Sequence, residues 1–172
     1  FDGCIAAANS ITGVTVATTC AGFYSTGNDN LRFDNCQALG NSHASVAGKL
    51  YGMLLTGAGV SNIVNKCESS GNFNAVADIT GVVAGIAFGN SENLSTISNC
   101  TVIGNAYTGS YSSGGTGHVY GILLGDHTAT TGVTKCSILK NNVRSTAVTA
   151  YSNSEAITLA GLRDMTLDSG SL

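Results

Sequence analysis

Proline and tryptophan are absent from this 172-residue chain, and methionine occurs only twice. Charge is scarce as well: charged residues make up 10% and the formal net charge is −3. Seven scattered Lys and Arg residues cannot form the clustered basic footprint of an electrostatic nucleic-acid binder. No apolar run reaches transmembrane length, so membrane insertion is not expected, and the start shows no signal-peptide pattern. The first residue is Phe1 rather than Met, so a processed form or a piece of a longer chain is expected. What fills the composition is glycine, 23 residues, with many Ser, Thr and Asn, beside 43% hydrophobic residues. An uncharged polar surface over a β-rich core reconciles these figures. Such surfaces are commonest outside cells, so the expected location is extracellular or on a cell or virion surface. The length suits one domain over residues 1–172.

An internal repeat organises the chain. Cys4, Cys36, Cys67, Cys100 and Cys136 recur at intervals of 32, 31, 33 and 36 residues. Each is followed five positions later by an asparagine: Asn9, Asn41, Asn72, Asn105 and Asn141. A small residue opens an apolar stretch in every repeat, at Gly22, Gly52, Gly85, Gly121 and Ala156. The block from that residue through Cys to Asn keeps nearly constant length. The stretch from Asn to the next small residue varies. Length changes confined to one segment are what a stacked repeat permits.

The periodicity is that of strands. Positions one and three after the small residue are apolar: Met53 and Leu55, Ile86 and Phe88, Ile122 and Leu124, Ile157 and Leu159. The position between is mixed. That is period two. Helical repeats would need amphipathic runs of ten or more residues, and glycine interrupts every candidate run. We therefore expect an all-β, single-stranded parallel β-helix of about five rungs of 31–36 residues, with one variable loop per rung. Each rung should hold one strand after the small residue, a second ending near the Cys, and a short third strand somewhere in the variable segment. Stacking at ~4.8 Å would align the Cys residues as an inward thiol column. It would align the Asn residues as an amide ladder, each tolerating left-handed geometry at its turn. The segments 42–50, 73–83, 106–118 and 142–154 are the expected loops, and any binding function should lie there.

The pattern Asn99-Cys100-x4-Asn105 followed by Tyr120-Gly121-Ile122-Leu123-Leu124 resembles the repeats of the pectate-lyase-like superfamily of right-handed β-helices. The resemblance covers essentially the whole chain. It implies the right-handed sense of the coil. It implies little about activity, because that superfamily holds polysaccharide lyases and hydrolases, tailspikes, adhesins and surface proteins of unknown role.

Candidate chemistry is sparse. Stacked cysteines present parallel Cβ vectors, which make a poor disulfide dihedral, so reduced, buried thiols are expected. Cys20 falls outside the ladder. No Cys-x-x-Cys pair exists, and His43, His118 and His127 lie in different loops, so no metal site is expected. Rung alignment stacks Asp2 on Asp34, a like-charge pair able to raise a pKa or to hold Ca²⁺; Asp168 falls in the same slot near the other end. Otherwise no cofactor is expected. Tyr107 and Tyr111 are candidate platforms for sugar rings. Tyr51 and Tyr120 occupy equivalent positions and could stack on each other. The acids do not converge as a glycosidase pair would, and no residue is assigned a catalytic role.

The expected function is accordingly a non-enzymatic extracellular structural or adhesive β-helix. Its expected partner is itself, stacking head to tail through its terminal rungs as a fibre subunit. The alternative is a carbohydrate-active lyase or hydrolase, or a carbohydrate-binding β-helix, with glycans as partners.

Overall fold

The structure is a computed structural model that describes residues 1–12, 18–57, 59–76, 81–89, 94–107, 118–124, 132–134, 136–139, 142–143, 154–159 and 166–167. Among them every regular element is a strand, and the strands come in repeating quartets. The first quartet is β1 (Ile5–Ala7), β2 (Ser10–Ile11), β3 (Thr19–Thr26) and β4 (Arg32–Asp34). The second is β5 (Gln37–Leu39), β6 (Ser42–His43), β7 (Lys49–Thr56) and β8 (Ile63–Asn65). The third is β9 (Glu68–Ser70), β10 (Phe73–Asn74), β11 (Val82–Phe88) and β12 (Thr96–Ser98). Then come β13 (Thr101–Ile103), β14 (Ala106–Tyr107), β15 (His118–Leu124) and β16 (Gly132–Thr134). Last are β17 (Ser137–Leu139), β18 (Asn142–Val143), β19 (Ser154–Leu159) and β20 (Thr166–Leu167).

Equivalent strands pair in parallel and in register, so the chain is a β-solenoid with four sheets. Sheet 1 runs β1-β5-β9-β13-β17, and sheet 2 runs β2-β6-β10-β14-β18. Sheet 3 runs β3-β7-β11-β15-β19, and sheet 4 runs β4-β8-β12-β16-β20. Three strands per rung were expected, and the structure has four. The segment around each Cys is two short strands rather than one, because a left-handed residue breaks it just before the Cys: Gly3 (φ 62), Asn35 (φ 52), Lys66 (φ 52) and Asn99 (φ 53). A second left-handed residue follows sheet 1, at Ala8, Gly40, Gly71 and Gly104. A third bend precedes sheet 4, at Asn30, Ser61 and Leu94. Asn9, Asn41, Asn72 and Asn105 are therefore not the left-handed residues; the residue just before each of these four is. Three corners turn on left-handed residues, and the corner from sheet 2 to sheet 3 is the one that absorbs length. The missing third strand lies directly after the Asn, at β6, β10, β14 and β18. The expected loop segments thus overlap these strands and the starts of β7, β11 and β15.

The alternation of β7, β11 and β15 decides the core. Met53, Leu55, Ile86, Phe88, Ile122 and Leu124 are fully buried inside, against Phe33, Val64 and Ile97 of sheet 4 and Ala38 and Val102 of sheet 1. A smaller core fills the variable corner: Cys20, Leu50, Val83 and Val119 of sheet 3 with Tyr107 of sheet 2. The pairing register runs unbroken through the glycine of each long strand: Tyr51 pairs with Ala84 and Met53 with Ile86. The glycine's missing side chain lets sheet 3 approach sheet 1, as described below for the ladder.

Candidate functional site

The asparagine column is the most ordered polar feature. Asn41, Asn72 and Asn105 are completely buried, while Asn9 is exposed. The Nδ2 of Asn9 donates to the Oδ1 of Asn41 at 2.8 Å, that of Asn41 to Asn72 at 2.8 Å, and that of Asn72 to Asn105 at 2.7 Å. The same Oδ1 atoms accept the backbone N–H of the previous asparagine. The second amide hydrogen goes to the carbonyl of Ala6, Ala38 or Ser69. Burial without such partners would cost ~1–3 kcal/mol per group. Asn141 lies outside the described residues.

The cysteines stand at the bend between sheets 4 and 1. Cys36, Cys67, Cys100 and Cys136 are buried free thiols, and Cys4 is half-buried. Four of these thiols find the carbonyl two residues back, Cys4 that of Asp2 at 3.6 Å, Cys36 that of Asp34 at 3.2 Å, Cys67 that of Asn65 at 3.3 Å and Cys100 that of Ser98 at 3.2 Å, while Cys136 reaches Ile97 O at 3.8 Å. Cys67 also accepts the N–H of Cys36 at 3.4 Å, which ties the column together. Burial pushes the Cys20 and Cys36 thiols up. Cys100 is pushed up by hydrogen bonding with Cys136 and Cys67, and its bond to Cys67 pulls that thiol down to about 7. Cys67 and Cys100 therefore titrate as a pair, with one proton lost before the other.

Asp2 and Asp34 do align, joined by a single parallel bridge. The expectation that this pairing raises a pKa does not hold at Asp34. A hydrogen-bonded ion pair with the Arg32 guanidinium, then the Asn65 amide, hold its carboxyl below the usual value. Asn65 Nδ2 reaches Asp34 Oδ1 at 2.8 Å, and Asn35 Nδ2 reaches Asp2 Oδ1 at 2.8 Å. The column continues upward as Asn65 accepting from the Ser98 hydroxyl and the Asn99 amide. It is a polar ladder on the outside of sheet 4. Among the described residues no three of His, Cys, Asp or Glu gather as a metal site. Asp168 lies outside the described residues.

The tyrosines are rearranged most. Tyr107 is fully buried, packed in the corner core. It cannot be a surface platform for a sugar, because its place is the inward position of a two-residue strand. Tyr111 lies outside the described residues. Tyr51 and Tyr120 share one column on the outside of sheet 3, but they are not neighbours: Ala84 pairs with both and separates them. Tyr120 stacks instead on His118 of its own strand, with centroids 5.6 Å apart and rings 3° from parallel. Burial pushes the Tyr51 hydroxyl up, and the nearby Tyr120 adds to it.

This outer face is a feature that pattern reading missed. Its two columns are Ala21-Tyr51-Ala84-Tyr120, which alternates small and large, and Tyr24-Leu54-Ala87-Leu123, in which only Ala87 is small. Tyr51, Leu54, Ala84, Ala87 and Tyr120 form a third apolar cluster there. Beside it lies a groove of ≈ 470 Å³ lined by Tyr24, Tyr51, Leu54, Lys49, Thr19 and Thr56, among others. The signal was present as the mixed position between the two inward residues. Also missed was a second buried ladder, in which Asn62 Oδ1 accepts from the N–H of Leu31 and the N–H of Asn62 donates to the Ser95 hydroxyl. No protein-family model, curated protein or solved structure matches this chain.

Proposed function

We propose that the chain is a non-enzymatic structural or adhesive solenoid of an extracellular, cell or virion surface. The observation that carries this reading is where the polar side chains go. Asn41, Asn72, Asn105, Asn62, Ser95, Asn65 and Ser98 are committed to rung-to-rung ladders, which stiffen a rod. The low charge supports a surface location. We take the coil as five rungs of right-handed, pectate-lyase-like sense, since parallel crossovers are right-handed in about 98% of cases. Its partner in this reading is a second copy, stacked head to tail. Among the described residues strands β1, β2 and β3 pair on one side only, and such an edge takes a second copy or further rungs of a longer chain. Ile5 is 65% exposed and Phe1 67% exposed on that edge. Two hollows open there, of ≈ 600 Å³ beside Asn9 and Cys20 and of ≈ 550 Å³ beside Phe1 and Phe23. Light scattering with negative-stain microscopy tests the reading. It expects rods that lengthen with concentration in steps of about 24 Å, five rungs at ~4.8 Å. A monodisperse monomer at every concentration would overturn it.

One observation favours a second reading, carbohydrate binding, with or without catalysis. The groove on sheet 3 places the exposed Tyr24 ring beside Lys49, Thr19 and Thr56, with Tyr51 buried at its floor, a mix suited to a sugar's apolar face and hydroxyls. Titration with neutral and acidic oligosaccharides tests it. Binding lost in Tyr24→Ala supports it, and binding that survives that change moves the ligand elsewhere.

A further inference from the structure

The column Ile11, His43, Asn74 is the inward position of sheet 2, and it puts an ionisable ring where no counter-charge stands. His43 is 1% exposed. Its Nε2 shares a hydrogen bond with the Thr18 hydroxyl at 2.9 Å, and its Nδ1 is buried with no partner. The ring abuts Gly48, so closely that a Cβ there would stand 2.6 Å from Nδ1 and 2.9 Å from Nε2. The corner 44–48 is closed over it by the Gly48 N–H donating to Ser45 O and by Asn74 Nδ2 donating to Ser45 O at 3.0 Å.

We propose that His43 is an acid-sensitive latch: when its ring gains a proton, the 43–48 corner opens while the rest of the stack stays closed. The imidazolium carries two N–H donors, and this site accepts one of them. The second would be a buried, unpaired charged donor, which low-dielectric surroundings penalise heavily. The groups on the elements around the ring give no relief. On β2, β10 and residues 44–48 nothing titrates. On β3 the nearest is the buried Cys20 thiol, and on β7 it is the exposed cation Lys49. Asp78 lies outside the described residues. Burial accordingly lowers the ring's pKa from 6.5. The open state binds the proton more readily than the closed one. Closure is therefore complete above pH 6.5 and weakens as pH falls from there towards the lowered folded value. Opening would expose Tyr107, Leu50 and Val83, the small core of that corner, and would free the segment that joins sheets 2 and 3.

The test is hydrogen exchange on the whole chain between pH 7.5 and 5.0, corrected for the intrinsic rate. Peptides over residues 43–50 should lose protection by up to about tenfold per pH unit, the limit for one linked proton. Peptides over β8 and β12 should not. His43→Asn, which installs the residue used one rung on, should abolish the response, and His118→Asn should keep it. An unchanged 43–50 segment, or the same response in His43→Asn, would overturn the latch. If His43→Asn does not fold, the ring's own titration by NMR in the native chain decides. A value at or above 6.5 overturns the proposal, and a lower one coincident with loss of protection supports it.

Discussion

Gly85 and Asn105 touch across the inside of the solenoid: a Cβ on Gly85 would lie 2.8 Å from the Asn105 amide nitrogen. It would also strike the Val102 side chain and come 2.8 Å from the Gly121 carbonyl. Gly52 meets Asn72 and Gly22 meets Asn41 in the same way. The recurring small residue and the recurring asparagine are thus one device, in which sheet 3 presses against the amide ladder. Gly85→Ala should destabilise by about 1–3 kcal/mol through overpacking, although alanine is ordinarily the better residue for backbone entropy. Urea unfolding measures this, and an unchanged midpoint would show that the ladder is loose enough to yield.

The ladder should weigh more in the middle than at its end. Asn72 Nδ2 serves Asn105, Ala38 and Ser69, and its Oδ1 holds two donors from Asn41. Asn72→Ala leaves several of these buried and unpaired, at ~1–3 kcal/mol each before relaxation. Asn9 is exposed, and its replacement by alanine should cost under about 1 kcal/mol. Asn72→Asp should resemble Asn72→Ala, since a carboxylate facing Asn105 Oδ1 has no hydrogen to give. Thermal melts of the three variants order them; equal losses for Asn9→Ala and Asn72→Ala would mean that the ladder does not act through burial.

Much of this architecture was legible for a physical reason. Stacked rungs place equivalent residues in one environment, so Cys, Asn and the small residue repeat, and period-two alternation betrays Met53 and Leu55 or Ile86 and Phe88. The bend before each Cys was hidden because Gly3, Asn35, Lys66 and Asn99 share a backbone angle but no chemistry. The strand after each Asn was hidden because two residues are too few to show a period. Tyr107 was misplaced for the same reason, since its column holds Ile11, His43 and Asn74 and so no common side-chain type. The outer face of sheet 3 was hidden because neither of its columns, Ala21-Tyr51-Ala84-Tyr120 and Tyr24-Leu54-Ala87-Leu123, repeats one residue type.

Below the pH range that acts on His43, acid should next reach the outside of sheet 4. The Asp34 carboxyl sits below its ordinary 3.8 because Arg32, then Asn65, hydrogen-bond the charged form. A depressed folded value means that its contribution is whole above the unfolded value and is lost as pH falls through the folded one. Arg32→Gln should therefore lower neutral-pH stability only slightly, as expected of an exposed pair, and urea unfolding across pH should show that difference vanishing as pH falls through the folded value. The same contacts leave Asp34 little need of a cation. Millimolar Ca²⁺ should not raise the melting temperature; a rise that disappears in Asp2→Asn would place a calcium site at Asp2 and Asp34 after all.

The thiols make the sharpest chemical prediction. Cys36, Cys67, Cys100 and Cys136 are buried, and each bonds nearby carbonyls. Reaction needs both a thiolate and access. Access is confined to Cys4, so a thiol reagent should modify Cys4 first in the native chain and all six cysteines after denaturation. Cys67→Ser keeps acceptors at Asn65 and Phe33 within reach, but the shorter hydroxyl fills the column less well. A loss of about 1–2 kcal/mol is expected. Mass spectrometry of the unreduced protein decides the underlying claim: disulfides among these five cysteines would show that the column is a covalent staple rather than close-packed thiols.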